Sequence, residues 1–385
     1  MINYGKHFID NQDKKEVLAA LKSNWLTQGP KVKIFEDNLS KYLGAKHSLV
    51  VNSGTAALHL AFISLGVKKN DLVLCSPITF LSSITSALFL EAKPSFVDID
   101  EKTYCINLDK LEIKLRSLTK RGKKPKVIIF TDYAGQMCDW KRIKHLSQKY
   151  KFFTINDNCH SLGSRYYNDQ KYAVKFADIV THSFHPVKII TTGEGGSLST
   201  NSTKIYKKII NLRSHGVTKN KKLDKKFGSW YYSMQDLGYN YRLPDINAAL
   251  GISQLKKINK FVKKRQSIAK KYFSYLKKNE NIILPYINDF CSHSFHLFPV
   301  QIIFKNLKKT KQQFFKYMLK NKIKLQVHYI PVHLQKYFKK NYLFKKGDFK
   351  ESENFYEKTV SLPTFHSLKD SQIKDICLKI NRFCR

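Results

Sequence analysis

From about residue 45 to residue 200 the chain alternates short β-branched runs with amphipathic stretches at helical spacing. That alternation is the sign of a parallel sheet wrapped by helices, because each parallel strand needs a long crossover. Ser48–Val51, Leu72–Leu74, Ser95–Val97, Val127–Thr131, Phe152–Ile155 and Ile179–Thr181 read as strands, and Ala56–Ser64, Leu81–Glu91 and Trp140–Lys149 as helices. Ligands of such sheets bind at the carboxyl ends of the strands, so residues there carry the functional weight. Ahead of this unit a helix over Asp13–Ser23 leads to the turn-forming segment Leu26-Thr27-Gln28-Gly29-Pro30. Behind it, a long basic helical stretch over Gly251–Lys277 opens a different pattern. Strands are expected at Phe298–Phe304 and Lys324–Tyr329, flanked by helices at Thr310–Lys320 and Ser371–Phe383. The chain thus reads as a large α/β domain over 1–250 and a smaller α+β C-terminal domain over 251–385, with no internal repeat.

Composition narrows the partners. With 385 residues and 42% hydrophobic content the chain can bury a large core. No basic leader precedes an apolar run, and no apolar stretch approaches the roughly 18 residues of a membrane span, so a cytoplasmic protein is expected. Seven cysteines without a CxxC pair predict reduced thiols and no structural metal. The formal net charge of +40 would suit an anionic partner. Its distribution argues otherwise: the runs Lys120–Lys126, Lys219–Lys226 and Lys256–Lys271 are interleaved with apolar residues at helical spacing, as in solvated helix faces. Neither nucleic acid nor membrane is expected; an anionic substrate would be drawn in, and the effect would fade with salt.

Four constellations sit at plausible strand ends. Val50-Val51-Asn52-Ser53-Gly54-Thr55-Ala56-Ala57 is a strand, a small polar turn and a helix start. It suits a phosphate held by free amides and hydroxyls, or simply a capped helix. In Thr154-Ile155-Asn156-Asp157-Asn158-Cys159-His160, an Asp directly after an apolar strand can face a bound ring and keep a pyridinium nitrogen protonated; the alternative is an Asx turn. His160, taken alone, reads rather as a packed or capping histidine. Thr181-His182-Ser183-Phe184-His185-Pro186-Val187-Lys188 leads into Gly193-Glu194-Gly195-Gly196. A lysine there can be partly desolvated, which lowers its pKa and favours imine formation; most lysines are surface decoration. Gly238-Tyr239-Asn240-Tyr241-Arg242-Leu243-Pro244-Asp245 begins as a loop and becomes a small-residue helix.

Taken in this order, the motifs resemble the sugar aminotransferases of the DegT/DnrJ/EryC1/StrS family, from Leu26-Thr27-Gln28-Gly29-Pro30 to Ser361-Leu362-Pro363. The resemblance implies the fold-type I aspartate-aminotransferase architecture and pyridoxal 5′-phosphate (PLP) as cofactor. It implies Lys188 as the Schiff-base lysine and Asp157 as partner of the ring nitrogen. Gly54, Thr55 and Ser183 would hold the cofactor phosphate, Phe80 would stack on the ring, and His160 would lie near the ring oxygen. Asn240 would reach the phosphate of a neighbouring subunit, so a homodimer with shared active sites is implied. A related dehydratase branch has histidine where this chain has Lys188, which argues against that branch. Asp132-Tyr133-Ala134-Gly135, Arg213-Ser214-His215-Gly216 and Gln326-Val327-His328-Tyr329 look closest to the PseC-type transaminases of pseudaminic acid biosynthesis. That likeness implies L-glutamate as donor and a UDP-linked 4-keto sugar as acceptor, the sugar against Thr27, Gln28 and Gly29 and its diphosphate near Arg213 and His215. Asn156 and Asn158 depart from the family, which usually has an acidic and a small residue beside the ring-pairing Asp.

Overall fold

The computed structural model of the protein describes residues 1–219 and 225–385; positions 220–224 of the basic run 219–226 lie outside the described residues. Among these, the central sheet comprises β1 (His47–Val51), β2 (Leu72–Cys75), β3 (Lys93–Phe96), β4 (Val127–Thr131), β5 (Phe153–Asp157), β6 (Ile179–Ser183) and β7 (Gly196–Thr200). Their spatial order is β1-β7-β6-β5-β4-β2-β3. Strands β2 to β6 pair in parallel, whereas β7 runs antiparallel to both of its neighbours. The architecture is the mixed, mostly parallel α/β arrangement expected. Side chains alternate across it. Val73, Val127, Ile129, Ile155 and Ile179 pack beneath α3 (Gly54–Ser64), whereas Leu74, Ile128, Phe130 and Val180 pack against α5 (Leu108–Lys120) and α6 (Trp140–Tyr150).

Strand β7 was not legible as a strand, because Gly-Ser-Leu-Ser-Thr has almost no β-branched character. Its small residues serve a purpose. A Cβ on Gly196 would sit 2.5 Å from the carbonyl oxygen of Ser53, so only glycine lets β7 press against the turn between β1 and α3. Helices α2 (Pro30–Leu43) and α7 (Thr203–Arg213) also escaped the sequence reading.

The expected helix 251–277 is two helices, α8 (Asp245–Lys256) and α9 (Ile258–Leu276), meeting at Lys257. The Lys257 ammonium reaches Asp10 at 2.8 Å and the fully buried Asp13 at 2.6 Å, tying the junction to α1 (Asn11–Leu21). The near end of α9 packs with Phe35, Phe184 and Ile189, and its far end, Ile268 to Leu276, with the apolar residues of the C-terminal part. There β8 (Ile282–Ile283), β9 (Phe298–Ile302) and β10 (Thr359–Leu362) form an antiparallel sheet. The expected strand Lys324–Tyr329 does not form. Lys324 N–H donates to Ile2, only Gln326 pairs with β10, and the His328 carbonyl accepts from the Tyr133 hydroxyl, so the backbone has no continuous ladder.

Removing one partner of a buried ion pair leaves the other charge uncompensated. Lys257→Met, which keeps the aliphatic stem, is expected to lower unfolding free energy by about 2 to 3 kcal/mol in chemical denaturation. Lys260→Met on the exposed face should stay within about 0.5 kcal/mol.

Candidate active site

A cavity of about 530 Å³ opens at the carboxyl ends of β4, β5 and β6. One wall is the start of α3. Ser53 Oγ caps this helix by accepting from Ala56 N–H at 3.0 Å, and Ala57 N–H donates to the Ser53 carbonyl. The amides of Gly54 and Thr55 make no hydrogen bond among the described residues, and both residues line the cavity. Ser183, at the end of β6, stands against them. A Cβ on Gly54 would come within 2.9 Å of the Ser183 Cβ, so glycine is needed for the hydroxyl and the helix start to meet. Two open amides, two hydroxyls and a helix N-terminus are a donor set that fits a phosphate.

Asp157 ends β5 on the cavity floor and is 4% exposed. Its Oδ2 accepts from Ser83 Oγ at 2.6 Å and its Oδ1 from Cys159 N–H at 3.3 Å. Ser83 Oγ lies 2.7 Å from Thr79 Oγ1, which lies 2.9 Å from Thr131 Oγ1. Since the Ser83 proton goes to the carboxylate, Thr79 must donate to Ser83 and Thr131 to Thr79. Sequence reasoning missed this row, because nothing in the spacing of 79, 83 and 131 marks them as neighbours. Asn156 and Asn158, the departures beside Asp157, have a plain role. Their amides donate to Asp132 Oδ2 at 3.2 and 3.1 Å, joined by Tyr172 Oη at 2.8 Å, while Cys138 N–H and Trp140 Nε1 bind the same carboxylate at 2.9 and 3.0 Å. Burial pushes the Asp132 carboxyl up to about 6, against the pull of these donors.

Lys188 lies in the turn after β6 and borders the same cavity, with its amide donating to the His185 carbonyl. Burial lowers its ammonium pKa, with Cys159 and Asp157 pulling the other way, so more of the amine is neutral and nucleophilic at a given pH. Phe80 is 53% exposed at the cavity mouth, free to receive a flat ring. His160 is buried and held well below the usual histidine range by desolvation and by Lys188 and His328. Its Nδ1 accepts from Ala134 N–H at 3.2 Å, and its Nε2 lies 2.9 Å from Tyr329 Oη. Gly54, Thr55, Phe80, Asp157, His160, Ser183 and Lys188 therefore converge on one cavity.

The other expected residues do not. Arg213 lies outside this lining: its guanidinium is bound through Nη1 to the buried Glu36 and, at 2.9 Å, to the Val50 carbonyl. His215 is exposed and does not border the cavity; its amide donates to the Tyr239 carbonyl in a turn. Thr27 bridges Pro244, and Gly29 N–H donates to Asp245 at 2.7 Å; with Gln28 they form an outer turn that is not part of this lining. Asn240 is exposed beside Ser214, likewise outside it. Among the described residues lining the cavity Lys188 is the only lysine or arginine, in a chain of net charge +40.

Residues 7–381 match the model of the DegT/DnrJ/EryC1/StrS aminotransferase family. The chain belongs to that family. It is similar to a Campylobacter jejuni protein, UDP-4-amino-4,6-dideoxy-N-acetyl-beta-L-altrosamine transaminase, being 37% identical over 99% of this chain and 97% of that one. Among solved structures, Helicobacter pylori PseC, an aminotransferase of pseudaminic acid biosynthesis, superposes with a TM-score of 0.89 at 31% identity, covering 99% of this chain and 98% of that one. The PLP form of a sugar aminotransferase, Spr1654 from Streptococcus pneumoniae, superposes at 0.88 with 27% identity over 99% and 98% of the two chains. The chain is thus placed among aminotransferases, and the family implies PLP. The open amides of Gly54 and Thr55, the Ser183 hydroxyl and the buried cavity-lining carboxylate of Asp157 fit such a group. No helix among the described residues is long and apolar enough to cross a membrane.

If Arg213 is a structural partner of Glu36, Arg213→Met should cost about 3 kcal/mol in unfolding free energy. The surviving folded enzyme should keep its KM for the sugar nucleotide within about twofold, a shift that corresponds to no lost contact. A tenfold rise in KM with unchanged stability would return Arg213 to substrate binding.

Proposed function

We propose that the protein transfers the amino group of L-glutamate to the C4 keto group of a UDP-linked 2-acetamido-2,6-dideoxy-4-hexulose, giving UDP-4-amino-4,6-dideoxy-N-acetyl-β-L-altrosamine in the cytoplasm. The observation that carries the reading is the convergence of a desolvated lysine, Lys188, and a strand-end carboxylate, Asp157, on one cavity whose opposite wall is a phosphate cup. The likeness to the Campylobacter and Helicobacter transaminases supports the particular sugar.

In this reading Gly54, Thr55 and Ser183 bind the PLP phosphate, and Phe80 covers the face of the ring. When bound, the cofactor supplies the carbonyl that accepts an amino group and the ring that draws off carbanion electrons. Asp157 holds a proton on the ring nitrogen, oriented by Ser83. Lys188 Nζ, once free, takes the proton from the amino-acid α-carbon and later delivers one to C4 of the sugar, fixing the configuration there. A second copy of the chain, bringing Asn240 and further cations to the cavity, would complete the site; the scarcity of positive charge in the single-chain cavity supports a homodimer.

The purified protein is expected to absorb beyond about 400 nm, with borohydride fixing the cofactor to Lys188. Lys188→Ala should bind cofactor and lose turnover; labelling at another lysine would defeat the assignment. Asp157→Asn should keep the fold and slow proton abstraction by roughly 100-fold or more, and a near-normal rate would reduce Asp157 to a strand cap. With the L-arabino and D-xylo 4-keto epimers, kcat/KM should favour L-arabino by roughly ten- to hundredfold, the worth of one buried polar contact. Product NMR placing the amine on C3, or the opposite preference, would leave only the broader function, another nucleotide-sugar aminotransferase.

A further inference from the structure

Tyr329 is a cavity-lining phenol whose hydrogen-bonding direction is decided by atoms outside the cavity. Ala134 lies in the turn Tyr133–Gly135 with a left-handed backbone, φ 61°. Such a conformation is unfavourable for alanine and persists only where the surroundings hold it. They do: Gly135, at φ 110°, packs so closely on His293 and Ser294 that a Cβ would come within 2.9 and 2.7 Å of them, and Ser164 Oγ donates to its carbonyl. The turn aims the Ala134 N–H at His160 Nδ1, 3.2 Å away. A ring nitrogen that accepts carries no proton, so the proton of the neutral imidazole sits on Nε2. Nε2–H must then donate to the phenolic oxygen 2.9 Å away. The Tyr329 hydroxyl proton cannot point back at His160. His328, the neighbouring cavity histidine, shares its Nδ1 with Ser361 Oγ at 2.8 Å.

From this one-way chain we infer that Tyr329 donates its hydroxyl proton to a ligand oxygen that bears or develops negative charge, and is thereby a catalytic residue of the amino transfer. Two oxygens have that chemistry, the phenolic oxygen of the cofactor and the C4 oxygen of the acceptor sugar. Both are oriented donors' targets, and neither requires Tyr329 to ionise: desolvation holds its phenol well above the usual tyrosine range, with Asp157 and Cys159 adding to it. The chain also gives His160 a role that its spacing from Asp157 could not reveal, namely polarising Tyr329.

The inference rests on the proposed PLP function, and the test separates the two. Tyr329→Phe holoenzyme is compared with wild type in the pH titration of the visible cofactor band without substrate, and in the two half-reactions measured separately by stopped flow. A donor to the cofactor oxygen predicts a midpoint shifted by about half a unit or more and both half-reactions slowed. A donor to the sugar oxygen predicts an unmoved midpoint, a normal glutamate half-reaction and a roughly tenfold slower sugar half-reaction, the worth of one oriented hydrogen bond. A variant with an unmoved midpoint and both half-reactions within twofold of wild type overturns the inference. Should the phenylalanine variant fail to fold, His160→Leu, which removes the donor to Tyr329, and His160→Gln, which restores one, provide the same comparison. The inference then requires the defect in the leucine variant and its partial recovery in the glutamine variant; equal behaviour of the two overturns it. Absence of the visible band in wild type would instead defeat the PLP reading itself.

Discussion

Five hydrogen-bond donors converge on the buried carboxylate of Asp132, and they come from three separate pieces of chain: the end of β5, the Cys138 amide with Trp140 at the start of α6, and Tyr172. A carboxylate this far from water is tolerable only when its lone pairs are filled. The requirement works in reverse as a clamp. The same knot that satisfies Asp132 holds Asn156 and Asn158, and Asp157 between them has no freedom to swing from the cavity. On its other side, Ser161 Oγ donates to the Asp132 carbonyl at 2.9 Å, which fixes the turn carrying His160. The position of these two cavity-lining groups is thus set by a residue that does not border the cavity.

Much of this was readable in the chain. The alternation of strands and helices from residue 45 to 200 predicted the parallel core because hydrophobic periodicity survives whatever surrounds it. Ser53-Gly54-Thr55, Asp157 and Lys188 were legible because each follows an apolar strand. What escaped depended on distant contacts. Strand β7 is a strand because glycine and serine fit between β1 and β6, a matter of space that propensity does not register. Residues 324–329 look like a strand by composition, yet their carbonyls and amides are claimed by the N-terminal arm and Tyr133. Arg213 looked like an anion binder because arginine usually is one at a site; only the structure shows Glu36 opposite it.

Charge tells the same story on a larger scale. The surface is strongly basic, but around the cavity the histidines His160, His296 and His328 are all depressed by burial, so they add no positive charge at neutral pH. Long-range attraction of an anionic ligand and its local recognition are therefore separate properties. The first resides in exposed lysines and is sensitive to salt. Within the single chain, what the cavity lining offers beside Lys188 is neutral donors with fixed directions.

The row Thr131, Thr79, Ser83 shows what fixed direction entails. Its three hydroxyl dipoles are aligned head to tail with their positive ends toward Asp157. A row of this kind has two polarities and no intermediate one: reversing any member obliges every other to turn. A cofactor analogue whose ring carries carbon in place of the basic nitrogen would offer Asp157 no proton, and the row could not adapt to it piecemeal. Discrimination against such analogues would then be collective, shared by Asp157 and the three hydroxyls aligned behind it.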